Sequence, residues 1–330
     1  MDAVFAPASA DAAIISQMAW VLIAGAALIF GGVMLLLGLS LRRRGQDGQP
    51  GQGGRALRPG LWIVGGGVLL PVAVLSALMA YNVWRSIQLD PQTSRGALVV
   101  SVTAKMWWWE VRYSDPAGGA DIVLANELHL PADRPVYLAL TSSDVIHSFW
   151  VPALAGKMDM VPGRMTGLAL RPVKAGIYRG QCAEYCGIQH ARMALHVVVE
   201  PPAAFAAWLV HQARPQPMPA AGEASKARLA LGRSAFLLHC AACHMVRTGD
   251  GQAGPSLASG PLQLSGAGPD LTHVASRLYL AAGTLRNEPG ALAAWIADPD
   301  AHKPGARMPA AAGIDPASLQ ALTAYLEQLK

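Results

Sequence analysis

Two long runs without a charged residue stand near the amino-terminal end of the chain. The first runs from Ala12 to Leu41 and the second from Gly60 to Trp84. Each is long enough to cross about 30 Å of hydrocarbon as a helix. We therefore predict a hairpin of two transmembrane helices, over about residues 13–40 and 60–84, within a segment of residues 1–95.

Positive charge is concentrated in the loop between these runs. Five arginines stand there against one acid: Arg42, Arg43, Arg44, Arg55 and Arg58 against Asp47. By the positive-inside rule this loop is cytoplasmic, so both termini lie outside. The first eleven residues contain no Lys or Arg and do not read as a signal peptide. We expect a bacterial inner-membrane protein with its C-terminal domains on the periplasmic or outer face.

From about Gly96 to Glu200 the pattern changes to short runs of alternating apolar and polar residues, separated by Pro, Gly and Asp. Repeated short strands without intervening helices indicate a β-sandwich or barrel. We assign it residues 96–202. If the KMWWWEVRY run is one strand, Trp107 and Trp109 point to one face and Trp108 to the other.

The pattern of the remaining residues predicts helices. We predict a short helix and a Pro/Ala-rich linker over residues 203–224, then an all-α domain over residues 225–330. Its last helix has apolar positions at helical spacing, namely Leu319, Leu322, Tyr325, Leu326 and Leu329.

Composition agrees with a multidomain membrane protein. Of 330 residues, 52% are hydrophobic and only 14% are charged. No basic recognition motif of a nucleic-acid-binding protein is present. The four cysteines form two close pairs, Cys182/Cys186 and Cys240/Cys243. Such isolated pairs indicate two cofactor sites, with loop disulfides as the alternative.

The first pair belongs to the stretch GQCAEYCGIQHARM, residues 180–193. It contains Cys182, Cys186, His190 and Met193, a set of soft and intermediate donors that suits copper better than magnesium, calcium or manganese. His147, in DVIHSFW, supplies a second histidine, as in a cupredoxin-like sandwich. Because two thiolates can bridge two metal ions, we predict a dinuclear copper site. Each copper would take one histidine, and Met193 would be a weak ligand to one of them.

These motifs, with the aromatic run and the membrane hairpin, resemble subunit II of haem–copper cytochrome c oxidases. The resemblance implies a CuA centre that the Glu184 backbone carbonyl completes. It further implies that the Glu184 carboxylate binds a magnesium ion shared with subunit I, and that Trp107 is an electron-entry residue. For Asp144 two roles are open: it could help to dock an electron donor, or it could cap its own turn. His129, His196 and His211 have no other candidate metal ligands near them in the sequence, and for His196 we favour a role in strand packing.

The second pair lies in HCAACHM, where Cys240-x-x-Cys243-His244 is the c-type haem attachment signature. His244 would be the proximal ligand and Met308, in KPGARMPA, the second axial ligand. His273 and His302 are rivals to Met308. The region resembles class I cytochrome c, and the GPDLTH to KPGARMP series resembles the cytochrome domain fused to subunit II in caa3-type oxidases.

The resemblance implies an electron-entry subunit of a proton-translocating terminal respiratory oxidase. Its partners would be subunit I, with haem a, haem a3 and CuB, together with subunit III, membrane lipid and a cytochrome c or other donor. The alternatives are the CuA-bearing small subunit of a nitric oxide reductase and a membrane-anchored copper-delivery protein. A quinol oxidase subunit would lack Cys182 and Cys186. RALRPGLWIVG lacks the acid that many family members carry near the second helix for proton uptake.

Overall fold

The computed structural model describes residues 5–44, 59–89, 96–119, 121–216, 223–248, 251–253, 268–311 and 313–330. Most of the predicted cytoplasmic loop and of the predicted linker, and the Gly-rich loop after His244, lie outside these residues. The chain forms two compact units, one of residues 13–90 and one of residues 1–12 with 91–330.

The smaller unit contains the hydrophobic helices. Helix α1 covers Ala10–Arg44, and the second run comprises α2 (Pro59–Leu61), a π-helical stretch (Trp62–Leu69), α3 (Leu70–Ser86) and a 3₁₀ turn (Ile87–Leu89). Both helices extend beyond the predicted ranges of 13–40 and 60–84. In the described part of the chain two helices pass the length and hydropathy test for a membrane span, with window mean hydropathies of 2.5 and 2.2. Neither window is buried within the protein, as expected for lipid-facing helices.

The irregular part of the second span lies just before Pro71. In the π-helical stretch the Leu70 amide donates to the Gly65 carbonyl, five residues back. Proline has no amide hydrogen and its ring clashes with the preceding helical turn, so the helix must adjust near it. A π-helical turn is one such adjustment.

Ten strands of the larger unit form a β-sandwich with a single core. One sheet has the order β3-β2-β1-β5-β8 and the other β4-β10-β9-β6-β7. The strands are β1 (Leu98–Lys105), β2 (Trp108–Tyr113), β3 (Ile122–Ala125), β4 (Glu127–Pro131), β5 (Val136–Ser142), β6 (His147–Trp150), β7 (Met158–Met160), β8 (Thr166–Leu170), β9 (Gly176–Cys182) and β10 (Ala194–Glu200). Fully buried Trp109, Leu138 and Phe149 fill the space between the sheets.

The tryptophan run differs from the alternation expected of one strand. Met106 and Trp107 form the turn between β1 and β2, so only Trp108 and Trp109 lie on a strand. Trp109 is buried in the sandwich, whereas Trp107 is half-buried at its end. The expected alternation therefore does not apply to Trp107, which lies in the turn and packs against the edge of the core that contains Trp109.

Residues just before helix α1 and in its first turn pack against the sandwich. The Ala8 amide donates to the Ala153 carbonyl over 2.8 Å, and the Val173 amide donates to the Ala8 carbonyl over 2.9 Å. The Asp11 carboxylate accepts from the Arg171 amide over 2.8 Å and from its guanidinium over 3.2 Å. The chain therefore leaves this unit at residue 12 and returns to it near residue 91.

The C-terminal part has its own smaller core, which includes Phe236, Leu322 and Tyr325. A helix, α4 (Pro202–Ala213), follows the sandwich, and α5 (Glu223–His239) and α8 (Pro316–Leu326) pack on each other. Between them lie α6 (Ala291–Ala297) and α7 (Pro299–His302). Two short two-stranded sheets, β11 (Val246–Thr248) with β12 (Gly251–Ala253) and β13 (Tyr279–Leu280) with β14 (Leu285–Arg286), were not anticipated from the helical pattern.

Candidate metal and haem sites

The predicted copper ligands meet at one end of the second sheet. His147 begins β6 and Cys182 ends β9, and these strands are antiparallel neighbours with Phe149 opposite Cys182. The loop that follows Cys182 is closed by a bond from the Cys182 amide to the Met193 carbonyl over 2.9 Å. Strand pairing therefore brings together residues that stand 35 positions apart in the sequence.

Two free thiols form the centre of this site. Cys182 Sγ and Cys186 Sγ lie 3.8 Å apart and both residues are buried. Around Cys182 Sγ are His147 Nδ1 at 3.8 Å and the Glu184 carbonyl oxygen at 3.2 Å. This half of the site thus offers one imidazole nitrogen and one carbonyl oxygen.

Cys186 has the remaining two donors. Its Sγ lies 3.7 Å from His190 Nδ1 and 3.9 Å from Met193 Sδ. The six atoms of the predicted set are therefore adjacent, and each cysteine sulfur lies next to one histidine nitrogen. Thiolate, imidazole and thioether donors suit copper, and two sulfurs between two histidines suit a pair of ions.

Asp144 determines which nitrogen of His147 is available. Its carboxylate lies 2.8 Å from His147 Nε2, and since a carboxylate only accepts, Nε2 carries the proton. Nδ1 is then left facing Cys182. Burial of the ring disfavours its charged form, but hydrogen bonds with Asp144 and Cys182 outweigh burial and raise the His147 pKa to about 9. The hydrogen bond with Cys186, aided by His147, lowers the Cys182 pKa, which favours the thiolate.

Trp107 lies directly on the ligand loop. Its indole Nε1 donates to the Cys186 carbonyl over 2.8 Å. Gly187, at φ +113°, makes room for this ring, because a Cβ there would lie 3.0 Å from the indole. The turn is also held by Asp144, which accepts from the Met106 amide over 2.7 Å. Asp144 therefore connects His147 to the Trp107 turn, which neither sequence reading of this residue anticipated.

The Glu184 side chain is exposed, on the same loop as its inward-facing carbonyl. The other histidines have structural partners. His129 stacks on Trp208 with ring centres 3.9 Å apart, and His196 stacks on Tyr279 at 3.8 Å. Packing is thus the role the structure gives His196.

The haem attachment motif lines a cavity of about 750 Å³. Cys240, Cys243 and His244 follow α5 and face this cavity together with Met308. His244 Nδ1 donates to the Pro269 carbonyl over 2.8 Å, which leaves Nε2 free to bind iron. Gly268 is required beside this ring, since a Cβ there would lie 2.5 Å from it.

The two rivals of Met308 are placed elsewhere. His273 Nδ1 lies 2.8 Å from the Lys330 carbonyl and its Nε2 lies 3.2 Å from the Arg214 carbonyl. Among the described residues that line the cavity, neither His273 nor His302 is found. Met308 therefore stays the sequence-predicted second axial ligand.

The chain matches two family models, one after the other. Residues 117–200 match "Cytochrome C oxidase subunit II, periplasmic domain", and residues 229–330 match "Cytochrome c". Over 305 residues the chain is 30% identical to "Cytochrome c oxidase subunit 2" of Alkalihalophilus pseudofirmus, which covers 92% of this chain and 82% of that protein. The chain belongs to the cytochrome c oxidase subunit 2 family.

Further similarity is found to "Cytochrome c oxidase subunit 2" of Bacillus sp. strain PS3, with 30% identity over 79% of this chain and 72% of that protein. Among solved structures, the periplasmic domain of subunit II of cytochrome oxidase of Bradyrhizobium japonicum is 31% identical. It covers 35% of this chain and 92% of that domain, with a TM-score of 0.33.

The donors present in this subunit 2 chain fit both cofactors of the resemblance. Five soft or intermediate donors and the Glu184 carbonyl fit a copper pair. The cavity has two thiols, a free imidazole nitrogen and a thioether, and it fits a covalently attached haem. Arg277 adds a buried guanidinium to its wall, and Arg277 Nε has no hydrogen-bond partner among the described residues. A haem carboxylate would satisfy it.

Three residues of the two sites were not singled out from sequence: Gly268, Arg277 and Lys303. A weak signal existed for each. Gly268 begins the GPDLTH motif, Arg277 follows its last residue by four positions, and Lys303, which lines the haem cavity, begins the KPGARMP motif. None could be assigned, because their roles depend on contacts with distant residues.

Proposed function

We propose that this chain is the electron-entry subunit of a terminal respiratory oxidase. Haem c would receive electrons from a donor, the copper pair would receive them from haem c, and subunit I would use them to reduce oxygen, coupled to proton translocation. The carrying observation is the copper donor cluster and the haem cavity within one compact unit, with Trp107 at both. When bound, the two cofactors supply one-electron redox chemistry.

The side chains have distinct tasks in this proposal. Cys182, Cys186, His147, His190, Met193 and the Glu184 carbonyl would hold the copper pair, the two histidines through Nδ1. Because His147 and Cys182 lie at the ends of paired strands and four of the six donor residues are buried, the site needs little rearrangement when its charge changes by one. In the haem cavity Cys240 and Cys243 would attach the haem through thioether links, and His244 and Met308 would hold its iron.

Finer parts of the proposal concern the surroundings of the chain. Trp107 would carry electrons toward the copper pair by way of Cys186, whose carbonyl accepts a hydrogen bond from the Trp107 indole. The exposed Glu184 carboxylate would provide a hard oxygen to a magnesium ion at the subunit I interface. Subunit III, lipid and a cytochrome c or other donor complete the complex in a bacterial inner membrane.

A test of the copper relay replaces one bridging thiol. In purified complex, Cys182→Ser should abolish reduction of the subunit I haem while haem c is still reduced by an artificial donor. Tyr185→Phe is the matched control, since Tyr185 is in the same loop, is 73% exposed and keeps its ring. Oxidase turnover that survives Cys182→Ser would contradict the relay.

The alternatives make different predictions for the same preparation. A nitric oxide reductase subunit would support consumption of nitric oxide rather than oxygen. A copper-delivery protein would need no covalent haem. The attachment cysteines and the cavity around them therefore argue against this alternative. Parallel assays of oxygen and nitric oxide consumption separate the first alternative from our proposal.

A further inference from the structure

The segment that carries Met308 makes direct contact with the copper side of the sandwich. Lys303 Nζ donates to the Trp107 carbonyl over 2.7 Å. The Arg307 guanidinium lies over the Trp107 ring, 5.9 Å from its centre. The Gln189 side-chain amide donates from Nε2 to the Pro304 carbonyl. Residues 303–308, which we call the methionine loop, thus contact both the Trp107 turn and the loop that follows Cys182, which we call the copper-ligand loop.

Trp107 connects the methionine loop to the predicted copper ligand Cys186. Its backbone carbonyl accepts from Lys303, and its indole donates to the Cys186 carbonyl. Lys303 and Cys186 are therefore bonded to opposite ends of one residue. A displacement of the methionine loop at Lys303 would act on the tryptophan that touches the copper-ligand loop.

The same tryptophan is a wall of the haem cavity. Trp107, Lys303, His244 and Met308 all line it. Lys303 stands five positions before Met308 in the chain. One short segment therefore carries the predicted iron ligand at one end and, at the other, the hydrogen bond that holds the tryptophan.

The burial of Lys303 calls for a specific partner. Its exposed fraction is only 5%, and burial of an ammonium group is costly unless it is hydrogen-bonded or compensated by charge. Burial lowers the Lys303 pKa to about 7, and Cys186 opposes that effect. A lysine needed only for solubility would lie in water, so the cost of burial indicates a role at this contact.

We propose that Lys303 is a positioning residue for electron transfer within this chain, because it fixes the methionine loop on Trp107 and so holds the haem cavity against the copper-ligand loop. This inference rests on the proposed function. The step it serves moves one electron from haem c to the copper pair. No bond forms or breaks and no proton is transferred.

The first test measures the contact itself. Lys303→Met keeps side-chain length and removes the charge and the donor. Loss of one buried hydrogen bond shifts an opening equilibrium by up to roughly tenfold, so amide exchange of residues 300–308 should accelerate by up to about tenfold. Lys330→Met is the control, because Lys330 is an exposed lysine of the same domain. Unchanged exchange in Lys303→Met would overturn the proposal.

The second test measures the transfer in the intact complex. After flash reduction of haem c, Lys303→Met should slow electron arrival at copper, while the haem spectrum and the copper electron paramagnetic signal stay as in wild type. Lys303→Arg keeps the charge and the donors, and it should recover more of the rate than Lys303→Met does. Covalent haem staining verifies that each variant has folded and matured.

The outcomes separate two failures. If wild-type haem c does not reduce copper at all, the proposed function fails. If wild type transfers electrons and Lys303→Met does so at the same rate, only the positioning role of Lys303 fails.

Discussion

At the scale of single residues, the copper site depends on the orientation of its histidines. Asp144 holds His147 Nε2–H and leaves Nδ1 beside Cys182. Pro269 does the same for His244, where its carbonyl holds Nδ1–H and leaves Nε2 for iron. In both sites a second oxygen selects the nitrogen that binds, a common arrangement for metal-binding histidines.

Removal of the Asp144 carboxylate should weaken the copper site. We expect Asp144→Ala to lower copper affinity by about 10–100-fold, because His147 loses the partner that sets its tautomer and orientation. Competition with a copper chelator measures this. Asp121→Ala is a suitable control, as Asp121 is an exposed acid of the same sandwich. Equal affinities in the two variants would mean that Asp144 only caps its turn.

At the scale of elements, strand β4 joins three parts of the larger unit. His129 lies 3.0 Å from Glu127 and 3.4 Å from Glu200, the last residue of β10, and stacks on Trp208 of α4. The Glu127 carboxylate also accepts from the Leu278 amide of the C-terminal part over 2.8 Å. A charged His129 between two carboxylates therefore stabilises the packing of the sandwich on its neighbours.

This cluster should make stability depend on pH. Burial disfavours the charged ring, but the hydrogen bonds that it donates to Glu127 and Glu200 outweigh burial and raise the His129 pKa. A raised folded-state pKa gives stability that is complete below the ordinary value and is lost as pH rises through the folded-state value. The melting temperature of the full chain in detergent should therefore fall as pH rises above about 6.5, the ordinary histidine value.

His129→Asn should remove most of this pH dependence and destabilise the chain by about 1–3 kcal/mol at pH 6, the magnitude of a charged hydrogen bond. His211→Asn, in an exposed histidine of α4, is the control and should keep the wild-type slope. A wild-type slope in His129→Asn would contradict this assignment.

At the scale of the whole molecule, residues 8–11 belong to the same compact unit as the two C-terminal domains. Their backbone bonds to Ala153 and Val173 put the start of α1 on the side of the sandwich. The chain leaves this unit at residue 12 and returns to it near residue 91. If both hydrophobic helices between these positions span the membrane, as the sequence predicts, residues 8–11 and the C-terminal domains lie on one face of it.

Reporter fusions should detect this topology. Alkaline phosphatase fused after Lys330 should be active, whereas an insertion between Arg44 and Arg55 should be inactive, because the arginine-rich loop is retained in the cytoplasm. A fluorescent protein that folds only in the cytoplasm should give the opposite pattern. Phosphatase activity from the loop insertion would contradict the orientation.

Local features of the sequence were sufficient for much of this protein. The length and lack of charge of two runs predict the spans, because hydrocarbon thickness sets a minimum helix length. The spacing of Cys182, Cys186, His190 and Met193 predicts a copper loop, because one short loop presents all four donors. The pair Cys240 and Cys243 with His244 predicts a haem for the same reason.

Only the tertiary structure decided how these sites are oriented and joined. Trp107 proved to be in a turn rather than on a strand, and its indole bonds to Cys186, 79 positions away. Lys303 reaches Trp107 across 196 positions. Such contacts depend on strand register and domain packing, which no local spacing encodes. The donors of the cofactors could thus be read from the chain, whereas the connection between the two sites required the fold.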